Sequence, residues 1–355
     1  MKFPRGPVAK SSSSIAEAAS WIEKRFAKLR RSDEEVPEEG PRYGIELRRF
    51  AGPRAYRRRL GHARIAHLTD LHVGRVTPFA VQKAAVDMTN AENPDLVVLT
   101  GDFVCHSQLW LDQLVDVVSG FKAPAIAVLG NHDHWSGADE VEAALKRAGV
   151  EVLRNRNTTV TLGHERLQVV GLDDAYTGHA RLEEAVKGLR RDLPTLALSH
   201  IAEEADGLWK RGIPLVLSGH THGGQVTVAR LHELSLGKIG GHKYLHGLYG
   251  TRDARGSHED SLVEALPKKK DGGGAVYVGA GIGAAVMPLR LGDRGKREVT
   301  IFELGAEPGA LDEHHTEQQP MPGRKPSQAV MAKRAAAVVR KRLLREQRAA
   351  RSRVG

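Results

Sequence analysis

Five short clusters in this sequence carry metal-ligand chemistry: Asp70-Leu71-His72, Gly101-Asp102, Gly130-Asn131-His132-Asp133, Ser199-His200 and Gly219-His220-Thr221-His222. His220 and His222 stand either side of one threonine. In a loop leaving a strand, that spacing can aim one imidazole at each of two nearby metal ions. Gly219, Gly223 and Gly224 let the backbone turn tightly and approach closely. Histidines also sit in turns for structural reasons alone, and four further clusters of the same chemistry tip the reading towards metal. Asp, His and Asn are hard to borderline ligands suited to divalent Mn, Fe, Zn or Mg, with Mn²⁺ the leading expectation. In Asp70-x-His72 the two side chains should point the same way off an extended segment. The Asp102 carboxylate can bridge two ions, and Asn131 offers a neutral carbonyl oxygen. Two ions ~3.5–4 Å apart would clamp a phosphate and create hydroxide near neutral pH.

The elements around these clusters alternate. Strands are expected over Arg64–Thr69, Asp95–Thr100, Ala125–Leu129, Thr195–Leu198 and Pro214–Leu217, each a short apolar run ending at one cluster. Helices are expected over Pro78–Asn90, Leu109–Val118, Ala138–Ala148, Arg181–Arg190 and Ala202–Lys210. Thr158–Leu162 and Arg166–Gly171 read as a hairpin around Gly163. Tyr43–Phe50, Gln225–Ala229, Ala275–Val278 and Arg297–Leu304 are further extended segments. Such alternation predicts an α/β fold with its polar clusters at the carboxyl ends of strands, where open sheets place ligands.

At 355 residues the chain can bury one large core with extensions. Its single cysteine, Cys105, excludes a disulfide framework and a thiolate metal site. No apolar run reaches the ~18 residues of a membrane span. Met1–Lys10 is basic but no apolar h-region follows, so no secretory signal is expected and the chain reads as cytoplasmic.

The net charge of +10 is uneven. Met1–Arg59 carries +7, Ala306–Gly355 carries +6 and Leu60–Gly305 carries −3. The expected organisation follows: a basic extension over 1–59, a catalytic domain over 60–305, and a linker with a basic helical tail over 306–355. Ser14-Ile15-Ala16-Glu17 has the form of a capping box, followed by Ile15, Ala18, Ile22, Phe26 and Leu29 at helical spacing. That helix packs on its own domain or lies on an anionic membrane. Ser32–Pro41 reads as a linker. Ser327–Arg353 has nine Lys/Arg against Glu346 alone, and a thin alanine-rich stripe. Its charges suit an anionic membrane surface, or nucleic acid.

The ordered clusters resemble the motif set of the calcineurin-like metallophosphoesterases over roughly Leu60–Gly305. The resemblance implies a four-layer αββα sandwich of two mixed sheets and a dinuclear site. It assigns Asp70, His72, Asp102 and His222 to one metal, and Asp102, Asn131, His200 and His220 to the other. It makes His132 the acid that protonates the leaving group, with Asp133 orienting it. Cys105 stands where purple acid phosphatases place a metal-binding tyrosine, and the Asp-Arg-Gly of Ser/Thr protein phosphatases is missing. Gly219–Val226, Tyr244–Gly250 and Val276–Leu291 look like the bacterial YkuE/YaeI-type phosphodiesterases, a group related to lipid A pathway pyrophosphatases. Many of that group carry a membrane span or export signal that is not seen here; the basic ends could replace such an anchor, peripherally at the inner face of the membrane.

The expected function is therefore a metal-dependent phosphohydrolase cleaving a phosphodiester or pyrophosphate, on a lipid-linked or nucleotide-bearing substrate. A nuclease of the same superfamily would want a long basic groove, which the −3 core does not supply. A lapsed scaffold binding lipid or nucleic acid would not need the full ligand set. His106 and His134 read as wall residues, His67 as a satisfied core histidine and Cys105 as a small buried side chain. Asp173 and Asp174 read as turn caps. Lys268–Lys270, within Thr251–Gly274, could meet substrate phosphate, and Arg290 could pair with a phosphate or an acidic neighbour.

Overall fold

The computed structural model describes residues 42–57, 59–105, 107–224, 241–252, 273–284, 290, 295–311 and 320. The helix and linker expected over 14–41, the strand over 225–229, Lys268–Lys270, His106 and the basic tail lie outside the described residues.

Among the described residues, twelve strands form two mixed sheets of six. The first runs β1 (Ile45–Ala51), β12 (Arg297–Leu304), β2 (Ala63–Leu68), β3 (Leu96–Thr100), β4 (Ala125–Val128), β5 (Glu151–Val152). The second runs β10 (Gly247–Gly250), β11 (Ala275–Val278), β9 (Leu215–Ser218), β8 (Thr195–Leu198), β7 (Glu165–Gly171), β6 (Arg156–Leu162). Strands β2 to β5 are mutually parallel, as are β7, β8, β9 and β11.

Alternation along each strand makes the layers. Ile65, Leu96, Val98 and Ile126 of the first sheet meet Val169, Leu196, Leu217 and Tyr277 of the second in one central core. The intervening Ala66, Leu68, Val97, Leu99 and Ala127 face the other way, under helices α1 (Phe79–Ala91), α2 (Leu111–Val118) and α3 (Asn131–Arg147). Val170, Ala197, Val216 and Val276 do the same beneath α4 (Leu182–Ala185) and α5 (Ala205–Trp209). Because both faces are covered there, the central strands β3, β4, β8 and β9 are buried throughout, whereas the edge strand β6 is mostly polar and part-exposed. The result is the expected four-layer arrangement. Truncating a central-core leucine such as Leu198 to alanine should cost about 2–5 kcal/mol.

Four local expectations change. The helix expected from Ala138 begins at Asn131, so Asn131, His132 and Asp133 occupy its first turn, and Gly137 (φ 121°) breaks it. The helix expected over 181–190 stops at Ala185, and Gly188 (φ 78°) turns the chain back before Pro194. β5 and β10, two and four residues long, carry too little pattern to register as strands. β1, from the segment read as an N-terminal extension, pairs in parallel with β12 along its whole length.

Candidate metal centre

The parallel runs bring the carboxyl ends of β2, β3 and β4 against those of β8 and β9, and the five clusters converge there. Asp70, His72, Asp102 and His222 form one donor group, and Asp102, His200 and His220 a second, with ligand atoms within 4.8 Å of one another in each. Asn131 joins the second group, its Oδ1 3.2 Å from His200 Nε2. Asp102 is common to both. Its Oδ2 lies 3.6 Å from His72 Nε2 and 3.4 Å from His200 Nε2, while its Oδ1 accepts the His132 N–H at 2.8 Å.

Left-handed backbone brings the side chains together. Asp70 (φ 51°), His72 (42°), Asp102 (56°), His220 (78°) and His222 (53°) are five of the eight non-glycine residues with positive φ among those described. Each such residue costs roughly 1–2 kcal/mol, and such strain gathers where geometry serves function. This corrects the extended reading of Asp70-x-His72: the two side chains converge through a tight turn, not across a pleat. Gly130 and Gly219 let the clusters close up. A Cβ at 130 would strike Asp102, and one at 219 would strike Thr69 and come within 2.5 Å of Asp70 Oδ2.

The donor set has many lone pairs and little positive charge. His200 Nδ1–H donates to the Thr100 C=O at 2.6 Å, which turns Nε2 towards the oxygens of Asp102 and Asn131. Burial disfavours a charged His200, yet Asp102, with Asp70 and Asp174, holds its pKa up at about 10. Burial pushes His72 and His222 down to about 3, helped by His222 at His72 and by Arg290 at His222. Their Nε2 atoms face each other at 3.0 Å. Asp70 Oδ2 accepts from Thr69 Oγ1 (2.8 Å) and His220 N–H (3.1 Å), but its buried Oδ1 has no hydrogen-bond partner among the described residues. A buried carboxylate oxygen beside two neutral imidazoles is what a divalent cation would satisfy. The residues present fit such ions.

Asp133 takes a different task from orienting His132. Its Oδ2 accepts from Asp102 N–H and Gly130 N–H, both at 2.9 Å, and its Oδ1 from Phe103 N–H at 2.8 Å. It caps α3 and staples the β3 turn to the β4 turn. His132 itself is 12% exposed, its Nε2 3.9 Å from Asp102 Oδ2.

Other residues singled out in the sequence also resolve. His67 is buried with Nε2 2.8 Å from Thr100 Oγ1. His134 bonds Asp173 at 2.6 Å, and Asp173 also accepts from Arg154 at 3.1 Å, so Asp173 does more than cap a turn. Asp174 does cap one, accepting the Thr177 N–H at 2.6 Å. Among the described residues Arg290 forms no ion pair. It donates to the carbonyls of Ala280 (2.9 Å), Gly295 (3.0 Å) and Gly283.

Cys105, read from the sequence as a small buried side chain, is half-buried with Sγ 3.3 Å from His72 Nδ1. The glycine-rich segment 279–284 backs the turn: Ile282 N–H donates to Thr69 O (3.1 Å) and Gly283 N–H to Asp70 O (2.7 Å). Its signal was its glycines, since a Cβ at 281 or 283 would crowd Asp70 or His72.

Fold and donor set together define a metal-dependent phosphoesterase architecture, and comparison with known proteins agrees. Residues 63–224 match the calcineurin-like phosphoesterase family. The chain is 31% identical to phosphodiesterase YaeI of Escherichia coli (strain K12) over 249 residues, 68% of this chain and 82% of that protein. It is 27% identical to the uncharacterized metallophosphoesterase YkuE of Bacillus subtilis (strain 168) over 250 residues, 68% of this chain and 78% of that one. The chain belongs to the calcineurin-like phosphoesterase family. Among the described residues no helix is long and apolar enough to cross a membrane.

Proposed function

We propose that this protein is a two-metal phosphodiesterase that hydrolyses phosphodiester or pyrophosphate bonds. The observation that carries the reading is the position of Asp102 Oδ2 between the two imidazole groups. Asp70, His72, Asp102 and His222 would hold one divalent ion, and Asp102, Asn131, His200 and His220 the other, with Mn²⁺ favoured and Fe, Zn or Mg admissible by ligand type. When bound, such a pair neutralises phosphoryl charge and lowers the pKa of water. The protein's own residues do the rest. The Thr100 carbonyl fixes the His200 tautomer, and Thr69 with the His220 N–H fixes Asp70. Asp133 holds the Asp102 and His132 turns in register. His132, at the edge of the donor set, delivers a proton from its ring to the departing ester oxygen. The likeness to a protein named phosphodiesterase favours diesters over monoesters. The basic tail, 323–355, would hold the catalytic unit near anionic lipid, where a lipid-linked substrate would be met.

The test is release of p-nitrophenol from bis-p-nitrophenyl phosphate by chelator-stripped protein before and after Mn²⁺ is restored, beside p-nitrophenyl phosphate. Metal-dependent turnover of the diester is expected. Equal turnover with and without metal, or turnover of the monoester alone, would refute the reading.

A further inference from the structure

The substrate class can be narrowed, on the strength of the phosphodiesterase reading above. Four aromatic rings form an arc that begins at His132 and ends at His220. The His132 and Trp135 ring centroids are 4.9 Å apart at 59°, Trp135 and Tyr176 are 6.1 Å apart at 78°, and Tyr176 and His220 are 5.2 Å apart at 45°. His132 and Trp135 are three residues apart in the first turn of α3, so they share a face. Tyr176 arrives from the loop after β7. Both ends of the arc belong to the proposed machinery, and its two middle rings do not.

Trp135 is 38% exposed. An indole can bury 150–250 Å² of surface, so one left partly in water beside a site is surface that a ligand can cover. With His132 as the acid, the leaving ester arm would lie beside His132, whose ring is 4.9 Å from that of Trp135. A long acyl chain would need a contiguous apolar trough of several hundred Å². Among the described residues the exposed large apolar side chains are Phe79, Leu109 and Trp135, far short of such a trough. Two steeply inclined rings make a corner that offers a face and an edge, the arrangement in which a third ring packs well.

We infer that Trp135 and Tyr176 form a subsite for a flat aromatic ring, aryl or nucleobase, carried on the leaving-group arm of the substrate.

Binding of non-hydrolysable probes to the metal-loaded protein tests this, read by titration calorimetry and by quenching of tryptophan fluorescence. Stacking of one ring is worth roughly 5–150-fold in affinity. Phenylphosphonate should therefore bind at least about fivefold more tightly than methylphosphonate. The methylenephosphonate analogue of adenosine 5′-monophosphate should likewise exceed that of ribose 5-phosphate if the ring is a nucleobase. Trp135→Ala should abolish the preference and leave methylphosphonate affinity and metal content as they are, while Trp135→Phe should keep most of it. Equal binding of phenyl- and methylphosphonate by the wild type would overturn the subsite, as would a preference that survives in Trp135→Ala. Octylphosphonate binding more tightly than phenylphosphonate would overturn it in favour of an acyl chain. Failure of every phosphonate to bind the metal-loaded wild type would overturn the phosphodiesterase reading, and the subsite with it.

Discussion

A single carboxylate, Asp102, stands at the junction of the two donor groups, and its loss should be felt by both. In Asp102→Asn the charge facing His72 and His200 disappears together. Metal analysis after gel filtration should find both ions weakened, whereas Asp70→Asn should weaken chiefly one. Two ions still tightly held in Asp102→Asn would remove the bridging role. His132 is separable from metal binding. His132→Gln should retain both ions but turn over ~10²–10⁴-fold more slowly, the usual cost of losing a general acid. That loss should shrink with leaving-group pKa. An equal loss for p-nitrophenolate and alkoxide leaving groups would show that another group supplies the proton.

At the scale of elements, the donor set depends on turns that hold an unfavourable conformation. The Asp70–His72 turn is held from behind by segment 279–284, which is itself clamped. Arg290 binds its Ala280 and Gly283 carbonyls, and Glu298, on β12, accepts the Ala280 N–H at 2.8 Å. Glu298 is in turn bound by Arg48 (2.7 Å), His246 (3.0 Å) and Tyr277 OH (3.0 Å). Arg290→Met frees three carbonyls and loosens that support. Its effect should resemble loss of an outer-shell partner, ~10–100-fold in metal affinity. The ion held by Asp70, His72 and His222 should suffer, and the His200–His220 ion should not. Competition titrations with a chelator would resolve the two, and equal weakening of both would argue for general misfolding.

At the scale of the whole molecule, one of its buried layers lies between the two sheets, and His67 points into it against Tyr277. Its ring is edge-on to Tyr277 at 6.1 Å, and burial lowers its pKa to about 4, partly opposed by Glu298. Between pH 6.5 and 4 the unfolded chain takes up a proton that the folded ring refuses, so stability falls as pH falls through that window. From pH 7 to pH 5 the loss from this one group is about 2 kcal/mol. Urea denaturation of wild type and His67→Gln at both values isolates it from the site imidazoles, which both proteins share. Identical pH slopes for the two would contradict the assignment. The proposed membrane docking of the basic tail belongs to the same scale. Deleting residues 323–355 should lower sedimentation with anionic vesicles at low salt and leave soluble diester hydrolysis unchanged. Equal sedimentation would end the membrane role of the tail.

The strands that end in Asp70, Asp102, Asn131, His200 and His220 were legible because they are short, apolar and bounded by glycine or charge, and ligand types do not depend on context. Parallel pairing and two-sided burial follow from runs such as Leu96–Thr100 that have no polar face. Other features were not in any local window. The left-handed turns at Asp70 and His72 run against the intrinsic preference of those residues and exist because Gly219, Gly281 and Gly283 let other chain segments press against them. Asp133 was assigned to its sequence neighbour, but its hydrogen-bonding capacity is consumed by backbone N–H groups brought over from β3. Cys105 gained its His72 contact from a segment 33 positions away, Arg290 its carbonyl partners from a local loop fold, and Trp135 its exposure from its place beside a site, none of which a spacing records. Residue chemistry and periodicity are local properties and can be read from the chain. Which buried partner satisfies which group is settled only when distant segments are packed together, because desolvation makes every unpaired polar group costly and forces pairings that sequence order does not announce.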